Sequence, residues 1–247
     1  DEFFTPETRR IAIASYYGLC TFLDQNIGRV LDTAEECGLN DNTRIMYISD
    51  HGENLGTRSV WGKYNLYEEA AAVPLILLGP DVPKGKVINT PVSHVDLFPT
   101  ILQGAGLTQE LADRDTHGRS LWDIAQESDD DNRVVFSEYH ATGATSGAFM
   151  IRKGNYKLLY YVGFKPELFD LDADPEELTD LAPDPHYASV IEEYTAILRT
   201  ITDPEAVDAL AKSDQAAHVA RHGGREAVLA QGDYKGTPPP TGDTNYD

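Results

Sequence analysis

A short apolar run, Ile45-Met46-Tyr47-Ile48, stops abruptly at Ser49-Asp50-His51-Gly52. Its β-branched and aromatic content reads as a buried strand. The ending constrains the fold most. Open α/β sheets bind ligands just outside the carboxyl ends of their strands, so Asp50 and His51 emerge where chemistry is expected. A carboxylate oxygen beside an imidazole nitrogen can reach one divalent cation. Lys63, further along, can return over the same mouth and hold an anion. The bland alternative for Asp-His-Gly is a turn, with Asp bonding locally and Gly at positive φ.

Around that strand the chain alternates helical and extended patterns. Thr5-Pro6-Glu7 caps and opens a helix. Tyr16, Leu19, Cys20, Leu23, Ile27, Val30, Leu31 and Ala34 recur at helical spacing up to Gly38, as in a core-facing helix packed on a sheet. Cys20 and Cys37 lie too far apart along that helix to form a disulfide and read as core thiols. Leu66 to Ala71 reads as a short helix and Val73 to Pro80 as a second buried strand. Ser93 to Ala105 is predicted helical, with Val95, Leu97, Phe98, Ile101 and Leu102 on its apolar side. His94 and Asp96 at its start serve structure, pairing with each other or with the amide ends.

The acidic run Ser128-Asp129-Asp130-Asp131-Asn132 marks a boundary. Three strands follow, at Arg133 to Tyr139, Ala148 to Arg152 and Tyr156 to Tyr161, the last two joined by a Lys153-Gly154-Asn155 hairpin. A short strand at Glu167 to Leu171 completes a small antiparallel sheet. Helices are expected over Tyr187 to Ile201, Pro204 to His222 and Arg225 to Ala230, and Pro238-Pro239-Pro240 belongs to an extended arm. Such an arm suits contact with a neighbouring subunit, so a homo-oligomer is an expected partner arrangement.

A net charge of −21 argues against nucleic acid and anionic membranes as partners. No apolar run approaches membrane-spanning length.

The extended pattern narrows the reading. Ser-Asp-His-Gly-Glu at 49–53, Leu55-Gly56, Trp61-Gly62-Lys63, Tyr67-Glu68 and Val73-Pro74-Leu75-Ile76 together resemble the sulfatase family of the alkaline phosphatase superfamily. The resemblance spans most of residues 5–182 and implies the C-terminal portion of that fold. The expected class is α/β: part of an alkaline-phosphatase-like sandwich sheet over 1–128, a small antiparallel β-sheet subdomain over 129–182, and a helical tail with an arm over 183–247.

What the resemblance implies for chemistry is specific. Asp50 and His51 match metal-binding positions, with calcium expected and manganese the alternative. Lys63 matches the lysine that grips the sulfate and bridging oxygens, and His140, in a loop after a strand, is a second catalytic candidate. A loop histidine bonded to a backbone carbonyl is the plainer reading of His140. Where the family often has Asp-His-Gly, this chain has Thr57-Arg58-Ser59, and Arg58 is expected to face solvent. His218 and His222 share a helical face but have no third ligand.

The family's Cys/Ser-x-Pro-x-Arg motif, source of its formylglycine nucleophile, does not occur here. The nucleophile and further metal ligands are therefore expected in a missing N-terminal half of the same polypeptide, which is the expected partner alongside a small sulfate ester. By itself the chain is expected to be inactive. A phosphodiesterase or phosphonate monoester hydrolase, or a non-catalytic half-fold module, are the alternatives.

Overall fold

The computed structural model describes residues 5–107 and 116–232. Helix α1 spans Pro6–Glu36, with Pro6 at its first position and Thr5 as cap, its hydroxyl accepting from the Thr8 amide. The expected core-facing packing is corrected, because no residue of α1 is buried. Ile13, Ile27, Leu31 and Ala34 are half-buried, whereas Ile11, Tyr17, Leu19, Phe22 and Val30 are exposed. Its apolar side chains have too little of the described chain against them to be buried. Cys20 and Cys37 are free and exposed, not core thiols.

Strand β1 (Ile45–Ile48) pairs antiparallel with β2 (Leu75–Leu78), from Ile45 opposite Leu78 to Ile48 opposite Leu75. Neither is fully buried. Residues of β1 are half-covered, and β2 turns Ile76 and Leu78 outward, as strand alternation dictates for a pair covered on one face. Helix α2 (Glu68–Ala71) lies between them in sequence. Helix α3 (Leu97–Gly104) follows a single 3-10 turn at His94–Asp96, and its expected apolar side is corrected too: Val95, Phe98 and Ile101 are exposed, whereas Pro99 and Thr100 are buried. Helix α4 spans Leu121–Gln126.

The second sheet has the order β3-β4-β5-β6, antiparallel throughout: Val134–Tyr139, Ala148–Lys153, Tyr156–Tyr161 and Glu167–Asp170. Lys153 pairs with Tyr156 across the hairpin, and Gly154 takes the positive φ that its tight turn needs. Alternation divides this sheet into two faces. Phe149, Ile151, Leu158 and Leu168 pack on Tyr194 and Leu198 of helix α5 (Ala188–Ile201). Val135, Met150, Leu159 and Phe169 pack on Leu66 and Tyr67, just ahead of α2. Helices α6 (Pro204–Arg221) and α7 (Gly224–Ala230) follow. This is the expected α/β class, with an antiparallel sheet flanked by helices.

Among the described residues no helix is long and apolar enough to cross a membrane. The arm around Pro238, and the oligomer contact expected of it, lie outside the described residues.

Candidate active site

The end of β1 is built by backbone constraints. A Cβ on Gly52 would sit 2.0 Å from the Glu69 carbonyl oxygen, and the Gly52 amide donates to the Ala70 carbonyl at 2.8 Å. Gly52 is thus required for close approach to α2, and not for a positive φ. Asp50 accepts from the His51 amide at 2.9 Å, and that bond holds its carboxyl below the ordinary range. Its other oxygen is 3.3 Å from His51 Nε2.

The His51 ring is fixed through both nitrogens. Nδ1 lies 2.9 Å from the Gly52 carbonyl, which can only accept, so Nδ1 carries the proton. Nε2 of the neutral ring is then the lone-pair nitrogen, and the Lys63 ammonium donates to it. Asp50, His51 and Lys63 are thereby gathered at one point.

Lys63 is delivered by a clamp on the preceding peptide. Glu53 accepts from the Gly62 amide at 2.6 Å. The Gly62 carbonyl accepts from the Asn54 amide at 2.9 Å and from Asn54 Nδ2 at 2.6 Å. Asn65 in turn donates to Asn54 Oδ1 at 3.0 Å. The intervening loop holds Leu55, Arg58 and Ser59 at positive φ, a cost that surrounding contacts must offset. Arg58 supplies them. Its guanidinium grips the Glu69 carboxylate at 2.7 and 2.8 Å, reaches the Glu176 and Glu177 carbonyls, and stacks over Tyr67 at 4.1 Å. The expectation that Arg58 faces solvent is corrected.

Behind this loop, Lys157 is fully buried, 2.8 Å from Glu68 and 2.9 Å from Glu177. It shares the strand parity of Leu159 and therefore points at α2. Burial pushes the Glu177 carboxyl upward, against the pull of Lys157.

A cavity of about 1000 Å³ opens here, lined by Asp50, His51, Lys63, His94, Glu138 and Arg152 among others. His140 does not line it. It follows the end of β3, packs edge-on against Phe149 at 5.2 Å and lies 3.5 Å from Glu138. His94, read from sequence as purely structural, does line it, with Nε2 2.8 Å from the Ser49 carbonyl. Its spacing from Asp50 in sequence gave no signal of this proximity. His218 and His222 stack on each other at 4.4 Å.

The metal expectation is corrected by the donor set. Calcium takes about six to eight oxygen ligands. Asp50 and His51 offer two groups, and Lys63 uses the Nε2 lone pair. Among the described residues no cluster of three or more His, Cys, Asp or Glu could hold an ion. The residues present do not fit a resident calcium or manganese.

Comparison with known proteins supplies the family context. The Sulfatase family model matches residues 1–107, and the model for N-sulphoglucosamine sulphohydrolase, C-terminal, matches residues 56–204. A choline-sulfatase of Rhizobium meliloti is 34% identical over 215 residues, covering 86% of this chain and 42% of the relative. Arylsulfatase K of Gallus gallus is 33% identical, covering 82% and 39% respectively. Among solved structures, a phosphonate monoester hydrolase from Silicibacter pomeroyi superimposes with a TM-score of 0.65 at 30% identity, covering 80% of this chain and 41% of that one. The chain thus spans about two fifths of the length of the curated relatives it matches.

These matches overturn the expectation of a C-terminal portion alone. The Sulfatase model matches from residue 1 and overlaps the C-terminal model within this same chain. The expectations that depended on it are corrected with it: a formylglycine confined to a missing N-terminal part, an N-terminal half acting as a separate partner, and inactivity for lack of that half.

Proposed function

The chain belongs to the sulfatase family of hydrolases, and from that premise we propose that its site hydrolyses a sulfate ester whose alcohol half carries a positive charge. The single observation that carries the reading is the convergence of Asp50, His51 and Lys63 on one opening.

An ammonium has three N–H donors. One, directed at His51 Nε2, orients the group and leaves the others for ester oxygens. Water supplies the oxygen that bonds to sulfur as the bridging S–O bond breaks, giving the alcohol and hydrogen sulfate, and a pre-aligned cation stabilises the negative charge growing on the bridging oxygen without reorganising. His51, with Nδ1–H fixed on Gly52, presents Nε2 as a proton relay for Lys63. Asp50 lies 3.3 Å from the same Nε2.

Two observations support the cationic alcohol. The cavity lining includes Asp131, Glu138 and Asp172, and a relative at 34% identity is a choline-sulfatase. The likeness to a phosphonate monoester hydrolase makes a phosphonate ester the second reading, since a lysine point charge suits either tetrahedral anion.

Rates on choline sulfate, 4-nitrophenyl sulfate and a phenyl phosphonate monoester, measured side by side, test this. The highest kcat/KM is expected on choline sulfate. A higher value on the phosphonate would favour the second reading.

A further inference from the structure

We propose that His94 is a positioning residue for the Asp50–His51–Lys63 group, holding the end of β1 through the Ser49 carbonyl. The proposal rests on the reading of that group as the reacting pole.

The β1–β2 ladder ends at Ile48 opposite Leu75. One residue later the Ser49 carbonyl meets His94 Nε2 at 2.8 Å, and a carbonyl can only accept, so Nε2 carries the proton. The two residues after Ser49 are Asp50 and His51. Ser49 also donates its hydroxyl to the His51 carbonyl at 3.0 Å, so a rotation of this peptide would move both side chains.

His94 can do this because its own backbone is held on several sides. It lies in a 3-10 turn closed by a capping box between Ser93 and Asp96. Asp96 is fully buried, and its carboxylate accepts from the Ser93 amide at 2.8 Å, the Arg119 amide at 2.8 Å and the Arg133 guanidinium at 2.6 Å. The same Arg133 donates to the Pro91 carbonyl at 2.6 Å. Across the turn, a Cβ on Gly118 would lie 2.1 Å from the Val95 carbonyl oxygen, so the chain there packs backbone to backbone. A chain of bonds therefore runs from the start of β3, through Asp96 and the His94 ring, to the end of β1. Unlike Asp96, the His94 ring is exposed and borders the cavity. Its removal leaves the buried Asp96 cluster intact.

The experiment compares His94→Ala and His94→Gln, because the glutamine amide can restore one N–H donor to Ser49. Ring ¹⁵N shifts of His51 at fixed pH report its tautomer and surroundings without any substrate. The expected result is that His94→Ala moves the His51 ring signals and lowers kcat on a sulfate ester about tenfold, with KM changed less than kcat, while the β3–β6 amide signals stay in place. His94→Gln recovers most of both effects. Unchanged His51 signals in His94→Ala overturn the proposal. So does an Ala variant that shifts the β3–β6 signals equally and is not rescued by Gln, since that describes a general packing role. If the unsubstituted protein turns over no sulfate ester, the functional reading fails separately, and the His51 signals still decide the role of His94.

Discussion

Asn54 holds the Gly62 carbonyl twice, through its backbone amide at 2.9 Å and its side-chain nitrogen at 2.6 Å. Asn54 is almost completely buried, so the grip is shielded from water. Lys63 follows Gly62 directly, and its reach to His51 depends on that peptide's orientation.

Replacing Asn54 by Ala removes one of these bonds and leaves Asn65 Nδ2 without its 3.0 Å acceptor. The expected cost is about 1–3 kcal/mol of stability, measured by urea denaturation. A fall in kcat on a sulfate ester accompanies it. Full retention of kcat in a folded Asn54→Ala protein would show that Lys63 does not depend on this clamp.

Lys157 is the buried counter-ion of Glu68 and Glu177. Lys157→Met leaves the buried Glu177 carboxylate without a cation, while Glu68 keeps Arg152 at 3.7 Å, and the expected destabilisation is about 3–5 kcal/mol. The double change Lys157→Met with Glu177→Gln should cost less than the single one, because a neutral amide tolerates the site. Denaturant midpoints of the three proteins check this, and a double variant weaker than Lys157→Met would contradict it.

Glu205 accepts from Arg199 and Tyr160, and the Arg199 bond draws its carboxyl down to about 2. A lowered folded value means that the contribution exists above the unfolded value of about 4.3 and is lost as pH falls toward about 2. Glu205→Gln should therefore lower Tm slightly at pH 7, by an amount worth about 1 kcal/mol or less for so exposed a pair. The gap between the two proteins should close between about pH 4 and pH 2. A gap of constant size across that range would contradict the assignment.

Exposure on α1 gives a contrasting pair. Leu158, fully buried on the α5 face, should cost about 2–5 kcal/mol on change to Ala. Phe22, 66% exposed, should stay within about 0.5 kcal/mol. Comparable losses at both positions would show α1 to be packed in solution.

The small sheet was legible because local signals agree with its tertiary role. The Gly154-Asn155 turn fixes the register of β4 and β5, and alternation assigns Leu158 and Leu159 to opposite faces. Helix α1 was legible as a helix but not in its burial, since helical spacing cannot say whether a partner covers the apolar stripe. At the site, Asp50, His51 and Lys63 could be named from the motif. His140, named from the same resemblance, lies against Phe149 and outside the cavity lining. Arg58 and His94 escaped because their partners, Glu177 and Ser49, lie far off in sequence.

Sulfate-ester turnover should be followed in Lys63→Ala and Lys63→Arg against the unsubstituted protein, with circular dichroism confirming that each is folded. The expected loss in kcat for Lys63→Ala is about 10²–10³, with Arg recovering only part of it because a planar guanidinium meets His51 and a tetrahedral anion less well. Turnover by folded Lys63→Ala within a factor of about two of the unsubstituted protein, a change worth only about 0.4 kcal/mol in the barrier, would contradict the account.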